Sequence, residues 1–107
     1  QKRRLIIMVK HVILWKLKEE LTAEEKENVK AGIKEGLEGL AGKVPGLVDV
    51  KVNINGLPSS TVDVMLDTTF TDADALKAYS TNPLHVAVAD GKVRPYTAVR
   101  SCLDYEV

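Results

Sequence analysis

The stretch VKHVILWKLK, residues 9–18, predicts a β-strand with one largely apolar face. Successive side chains of a strand point to opposite sides, so alternate residues share a face. One face would carry large apolar side chains and one imidazole: Val9, His11, Ile13, Trp15 and Leu17. The chain has only one other histidine, His85. His11 is therefore either a packed core residue or the first residue of a functional site.

The composition of the chain is that of one globular domain. With 107 residues, 45% apolar and 28% charged, it is long enough for a two-layer core and too apolar to be disordered. Its 15 basic and 15 acidic residues cancel and only 5% are aromatic, so neither nucleic acid nor an anionic membrane is an expected partner. No segment approaches the roughly 20 apolar residues of a membrane span.

The first seven residues, QKRRLII, place a basic cluster before a short apolar segment. That segment is too short for the apolar region of a signal peptide, so a cytoplasmic location is expected. Met8 would be a sensible native start. We therefore expect residues 1–7 to be an extension or a cloning remnant, and the domain to cover residues 8–107.

A first helix is predicted after the opening strand. Thr22 can cap it, and Glu25 at the third helical position can complete a capping box. An apolar stripe then extends to about residue 41, made by Val29, Ile33, Leu37 and Leu40. The glycines beside the stripe favour close packing on a sheet over a ligand or dimer motif.

The rest of the chain predicts a hairpin, a broken helix and a last strand. Residues 47–54 and 62–70 alternate apolar and polar side chains around a turn segment, which indicates an antiparallel pair. Thr71-Asp72-Ala73-Asp74 begins a second helix, which breaks at Ser80-Thr81-Asn82-Pro83. Asn82 as cap and Pro83 at the first helical position start another short helix. Residues 98–107 alternate again.

This order, β-α-β-β-α-β, predicts an α+β fold of ferredoxin-like type, a four-stranded antiparallel sheet with helices on one face. The expected helix-facing side contains His11, Ile13, Val50, Val64, Leu66, Leu103 and Tyr105. The other face is mixed rather than polar, with Val12, Leu14, Leu47, Met65, Ala98 and Cys102 among Lys16, Asp63 and Arg100. A face exposed to solvent would be more uniformly polar, so we expect a second subunit to cover this face and form a homodimer.

Three residues are candidates for one site. His85 would lie at the third position of the short helix, where the helix dipole favours the neutral imidazole that a general base requires. Tyr79, six residues earlier, could direct its hydroxyl into the helix–sheet space that His11 faces. Each residue alone is more often a packing or surface residue. Together, facing one cleft, they would form a pocket.

Neither a metal nor a cofactor is expected. The chain contains no phosphate-binding loop, dinucleotide-binding glycine pattern, HExxH or GxSxG motif. Cys102 is the only cysteine, which excludes an intrachain disulfide and a cysteine-cluster metal site. It is expected to be a small strand residue rather than a nucleophile. A two-histidine metal site lacks a carboxylate at a compelling spacing.

The segment VKHVILWKLK (9–18) resembles the opening strand of the stress-responsive A/B barrel (Dabb) family. Tyr79 and Asn82-Pro83-Leu84-His85-Val86 resemble that family's Tyr-x5-His segment, and the similar element order covers essentially residues 8–107. The resemblance implies a ferredoxin-like α+β unit that dimerises into a barrel through its sheet.

The resemblance also implies site roles, by similarity to a plant polyketide cyclase of the family. His85 would remove an acidic C–H between carbonyls, Tyr79 would position it or support the enolate, and His11 would hold a substrate carbonyl. Three functions are therefore considered: a small-molecule-binding or stress-associated homodimer without established catalysis, a cyclase- or lyase-like enzyme acting on a polyketide-like carbonyl compound, and a structural stress protein.

Overall fold

The elements of the computed structural model, which describes residues 7–107, follow the predicted order. They are β1 (Val9–Leu17), α1 (Ala23–Glu38), β2 (Leu47–Asn53), β3 (Val64–Phe70), α2 (Ala73–Thr81), α3 (Pro83–Val88) and β4 (Thr97–Glu106). A π-helical turn (Ala89–Val93) and a 3₁₀ turn (Arg94–Tyr96) connect α3 to β4. The expected N-terminal extension lies, apart from Ile7, outside the described residues.

The four strands form one antiparallel sheet in the order β2-β3-β1-β4. This confirms the predicted ferredoxin-like α+β fold, including the break in the second helical region. β1 is central, and the face predicted to be apolar is buried along its whole length, from Val9 to Leu17. Within residues 7–107, no helix is long and apolar enough to cross a membrane.

The first helix begins with the predicted capping box. The Glu25 amide donates to Thr22 Oγ1 at 3.1 Å, and the Thr22 amide donates to Glu25 Oε1 at 2.8 Å. The helix ends at Glu38, slightly earlier than the apolar stripe predicted. Ile33 and Leu37 are fully buried against the sheet, so the stripe positions α1 as one wall of the core.

The break between α2 and α3 is caused by Asn82 and Pro83. A residue before proline is disfavoured in helical backbone, and Asn82 is extended, with φ −62° and ψ 127°. Its side-chain oxygen accepts a hydrogen bond from the Leu84 amide at 2.9 Å, which starts α3. The chain therefore changes direction between Tyr79 and His85.

The predicted phase of the last strand was wrong. The β1–β4 register pairs His11 with Asp104 and Val12 with Leu103. Arg100, Cys102 and Asp104 therefore share the helix side with His11, whereas Leu103 and Tyr105 lie on the outer face. Alternation defines two phases but not which one faces inward, and the ladder shifts register between Lys16 and Leu17. Leu47 was also misplaced, because it pairs with buried Phe70 on the helix side.

The outer face of the sheet is partly apolar and exposed. It carries Val12, Leu14, Met65, Val99, Leu103 and Tyr105, with an ion pair between Lys10 and Asp67 at 3.0 Å. Val99 and Leu103 are 55% and 64% exposed. Contiguous exposed apolar surface of this kind marks an interaction site more often than a solvated one.

Two glycines offer a matched test of the packing that positions α2. Gly42 and Gly46 both have positive φ, but a Cβ on Gly42 would meet open space, whereas one on Gly46 would lie 2.4 Å from the Ala75 Cβ in the first turn of α2. Gly42→Ala should cost roughly 1–2 kcal/mol, the penalty of left-handed backbone. Gly46→Ala should cost roughly 1–3 kcal/mol more through overpacking. Urea denaturation of both variants measures the difference, and equal losses would contradict this packing account.

Candidate functional site

A cavity of about 170 Å³ lies between the sheet and the helices. The three residues predicted from sequence all line it: His11 from β1, Tyr79 from α2 and His85 from α3. Most of its wall is apolar, with Ile13, Trp15, Leu37, Leu66, Leu76 and Val93. The fold thus brings the three candidates into one cleft, as the sequence analysis required of a pocket.

Tyr79 and His85 stack directly against each other. Their ring centroids are 4.0 Å apart with planes inclined by 33°. The tyrosine ring also meets Phe70 edge-on at 4.9 Å, and only 1% of Tyr79 is exposed. The turn at Asn82-Pro83 makes this stack possible, because it folds α3 back toward the end of α2.

Two polar atoms of this stack lack a hydrogen-bond partner. Tyr79 Oη and His85 Nδ1 are both buried, and neither has a partner within residues 7–107. Buried polar atoms are nearly always paired, and leaving one unpaired costs about 1–3 kcal/mol. The cavity therefore holds two polar groups suited to pairing with the polar group of a bound molecule.

Burial sets the protonation of both residues. It lowers the pKa of His85, and the charge of Arg94 acts in the same direction, whereas the nearby backbone groups of Ser80 and Tyr79 act against the shift. This is the direction predicted from the helix dipole, but the cause differs, because α3 has only six residues and burial dominates. Burial also raises the pKa of Tyr79 to about 12. Near neutral pH the site therefore presents an uncharged imidazole beside a phenol that can donate a hydrogen bond.

His11 is both packed and hydrogen-bonded. Its ring lies edge-on to Phe70 and to Tyr79, with centroids 6.3 Å away in each case. Its Nδ1 lies 2.5 Å from Asp104 Oδ1. An Nδ1–H that donates to this carboxylate leaves Nε2 as the acceptor nitrogen. The question raised by the sequence thus has a mixed answer: His11 is a satisfied core residue that also lines the cavity.

Asp104 was not predicted from the sequence as a partner of His11. The predicted phase of β4 was the opposite one, with Leu103 and Tyr105 directed toward the helices. The register with β1 places Arg100, Cys102 and Asp104 on the side of His11, and no local signal in residues 98–107 indicates that register. Arg94 and Arg100, which also line the cavity, were not identified as site residues.

Cys102 lies beside this pair on an exposed part of β4. Its Sγ is 3.7 Å from His11 Nδ1 and 3.5 Å from Asp104 Oδ1. Partial burial raises the pKa of the Cys102 thiol, and its hydrogen bond to Asp104 and the carboxylate charge raise it further. A thiol with a raised pKa is a poor nucleophile, in agreement with the expected role of Cys102.

The comparisons with known proteins agree with this architecture. The family model described as the stress responsive A/B barrel domain (Dabb) matches residues 9–107. A dimeric protein of unknown function with a ferredoxin-like fold from Bacteroides fragilis is 35% identical, with a TM-score of 0.88 over 94% of this chain and 96% of that one. Among the curated proteins, none matches this chain.

Two more distant structures show the fold alone. A Dabb family protein from Mesorhizobium loti is 18% identical, with a TM-score of 0.70 over 92% of this chain and 95% of that one. A hydroxynitrile lyase from Passiflora edulis is 15% identical, with a TM-score of 0.70 over 94% of this chain and 93% of that one. With the family match extending over nearly all of its length, the chain belongs to the stress responsive A/B barrel (Dabb) domain family.

Proposed function

We propose that this protein binds a small carbonyl compound in the cavity between its sheet and helices. The observation that carries the proposal is the pair of buried, unpartnered atoms, Tyr79 Oη and His85 Nδ1, on the wall of one cavity. A carbonyl oxygen would accept a hydrogen bond from the tyrosine hydroxyl. A purely structural stress protein would have no use for two unpaired polar atoms beside open space, since each destabilises the fold.

Size and lining restrict the ligand. A cavity of about 170 Å³ is comparable to the cavity of about 150 Å³ that accepts benzene in an engineered lysozyme. The apolar lining suits a short chain or a single ring, and only a few polar groups are available to orient it. We expect a compact, mostly apolar compound with one or two carbonyl oxygens, bound in the cytoplasm.

Acid–base catalysis is the second candidate function, and the lowered pKa of His85 favours it. A neutral imidazole can remove an acidic proton between two carbonyl groups. The protonated Tyr79 hydroxyl would then stabilise the enolate oxygen. His11, whose Nδ1–H donates to Asp104, would accept a hydrogen bond from a substrate hydroxyl through Nε2. A cyclase-like or lyase-like reaction fits this chemistry, and one protein that shares the fold is described as a hydroxynitrile lyase.

We further propose that the protein is a homodimer joined through the outer face of the sheet. Leu103 and Val99 leave much of their apolar surface exposed on that face. The Bacteroides fragilis protein, at 35% identity, is described as dimeric, as is a ferredoxin-like protein from Thermobifida fusca. Burying such side chains contributes roughly 25 cal/mol per Å² of apolar surface.

The binding proposal predicts opposite effects of Tyr79→Phe on stability and on binding. Without ligand, loss of the unpaired hydroxyl should raise the free energy of unfolding by about 1 kcal/mol or more. Binding of pentane-2,4-dione or benzaldehyde, followed by NMR titration, should weaken about tenfold. Tyr96→Phe is the control, because this tyrosine is partly exposed and does not line the cavity. A destabilised Tyr79→Phe variant with unchanged binding would contradict the proposal, as would a wild type that binds neither compound.

The catalytic proposal predicts that His85→Ala lowers turnover about 10²–10⁴-fold, the usual contribution of a positioned base. The substrates are a linear β-polyketide ester and mandelonitrile, and Leu84→Ala in the same helix is the control. Because the pKa of His85 is lowered, the imidazole stays neutral below the ordinary value of 6.5. The wild-type rate should therefore fall only at a pH below that value. Equal rates for wild type and His85→Ala would remove the catalytic role.

The dimer proposal predicts that Leu103→Lys yields monomers. A lysine in place of Leu103 on the outer face would have to bury its charge in the interface, which is costly without a partner. Leu84→Lys is the matched control, because Leu84 is 49% exposed but lies on α3, on the opposite side of the sheet. Light scattering at micromolar concentration should give a dimer mass for wild type and Leu84→Lys. A monomeric wild type would overturn the proposal.

A further inference from the structure

Three side chains with metal-ligating atoms meet where β1 pairs with β4. They are His11, Cys102 and Asp104, and one ligand atom of each lies within 4.8 Å of the others. Sequence spacing did not indicate this cluster, because the histidine and the other two residues come from opposite ends of the chain. The β1–β4 register brings them together by pairing His11 with Asp104 and Ile13 with Cys102.

We propose that His11 Nδ1, Cys102 Sγ and Asp104 Oδ1 form a binding site for a zinc-like divalent cation. Ligand distances in tetrahedral zinc sites, with bonds of about 2.1 Å to nitrogen and oxygen and 2.3 Å to sulfur, put sulfur about 3.6 Å from each of the other ligand atoms. The observed separations of Sγ are 3.7 Å from His11 Nδ1 and 3.5 Å from Asp104 Oδ1. Two of the three edges of the ligand triangle therefore already have the dimensions of a zinc site.

The third edge must lengthen when the cation binds. His11 Nδ1 and Asp104 Oδ1 are 2.5 Å apart, held by the proton between them, whereas a shared zinc ion would separate them to about 3.4 Å. The cation takes the place of that proton, which moves to His11 Nε2, and the Cys102 thiol releases its own proton to solvent. The Asp104 side chain is 46% exposed, so a rotation about its own bonds can provide the extra distance. His11, which is buried between Phe70 and Tyr79, can keep its position.

The donor set selects the class of cation. One nitrogen, one sulfur and one oxygen atom suit Zn²⁺ or Co²⁺, whereas Mg²⁺ and Ca²⁺ prefer oxygen ligands alone. A thiolate and a carboxylate together neutralise a divalent charge. Three protein ligands also leave the fourth tetrahedral position open for water or a ligand, as in catalytic zinc sites.

One cationic side chain opposes this site. Arg100 lies on the same side of β4 and is close enough for its charge to act on the Cys102 thiol. Its side chain is long and exposed, so it can move away when a cation enters. Removing its charge should therefore strengthen metal binding, whereas removing one of the three ligands should weaken it.

The test is a titration of the EDTA-treated, dialysed full chain with Co²⁺, followed by displacement with Zn²⁺. We expect one cobalt per chain, a thiolate-to-cobalt charge-transfer band in the ultraviolet and intense visible bands of tetrahedral cobalt. Zinc should abolish both signals and raise the melting temperature. Cys102→Ser should remove the charge-transfer band, and Asp104→Asn should weaken zinc binding about tenfold or more. Arg100→Gln should bind more tightly than wild type.

His85→Ala is the control, because it removes the other histidine and leaves the three ligands in place. Its cobalt spectrum should match that of wild type, so the result does not depend on the ligand-binding function proposed for the cavity. Cys102 and Asp104 are both exposed, and circular dichroism should show that their variants keep the fold. A wild type without the charge-transfer band, a stoichiometry of one metal per two chains, or unchanged zinc affinity in Cys102→Ser would each overturn the proposal.

Discussion

The site depends on the pairing of β1 with strands on both sides. β1 lies between β3 and β4, and its hydrogen bonds to both determine which side chains surround His11. The β3 ladder places Thr68 opposite His11, and the Thr68 hydroxyl donates to the His11 carbonyl oxygen at 2.7 Å. The β4 ladder places the Asp104 carboxylate within hydrogen-bonding distance of the His11 ring. A shift of one residue in the β4 register would turn Asp104 to the outer face and leave His11 Nδ1 buried without this partner.

Polar side chains on the helical side of the cavity have fewer hydrogen-bond partners than those on the sheet side. Asn82 and Pro83 end α2 and start α3 so abruptly that Tyr79 and His85 stack across the break. This packing buries Tyr79 Oη and His85 Nδ1 without partners among residues 7–107. Folded domains are only marginally stable, so two such atoms are a considerable cost. Destabilising polar groups of this kind are typical of functional sites, where a ligand supplies what the fold does not.

Much of the fold could be predicted from sequence because its signals are local. The Thr22 capping box, the Asn82-Pro83 break and the buried phase of β1 each depend on residues within one element or turn. The phase of β4 depends instead on pairing with a strand about 90 residues earlier and on a register shift. Alternation in that strand puts Val99, Leu103 and Tyr105 in one phase and charged residues in the other, so hydrophobicity favoured the phase that the register turns to the outer face. The sequence was sufficient to place His11, Tyr79 and His85 in one cleft. It was not sufficient to place Asp104 and Cys102 beside His11.

The outer face of the sheet and the cavity are physically linked through β4. Nearly the whole of β4 is exposed in the single chain, because its helix side extends beyond the helices and its outer side carries Leu103 and Tyr105. Hydrogen bonds to β1 are thus its main attachment. In the proposed dimer, burial of Leu103 and Val99 would add a second attachment on the opposite face. That contact would hold Asp104 against His11 through the backbone of β4, so dimerisation and the orientation of the cavity histidine would stabilise each other.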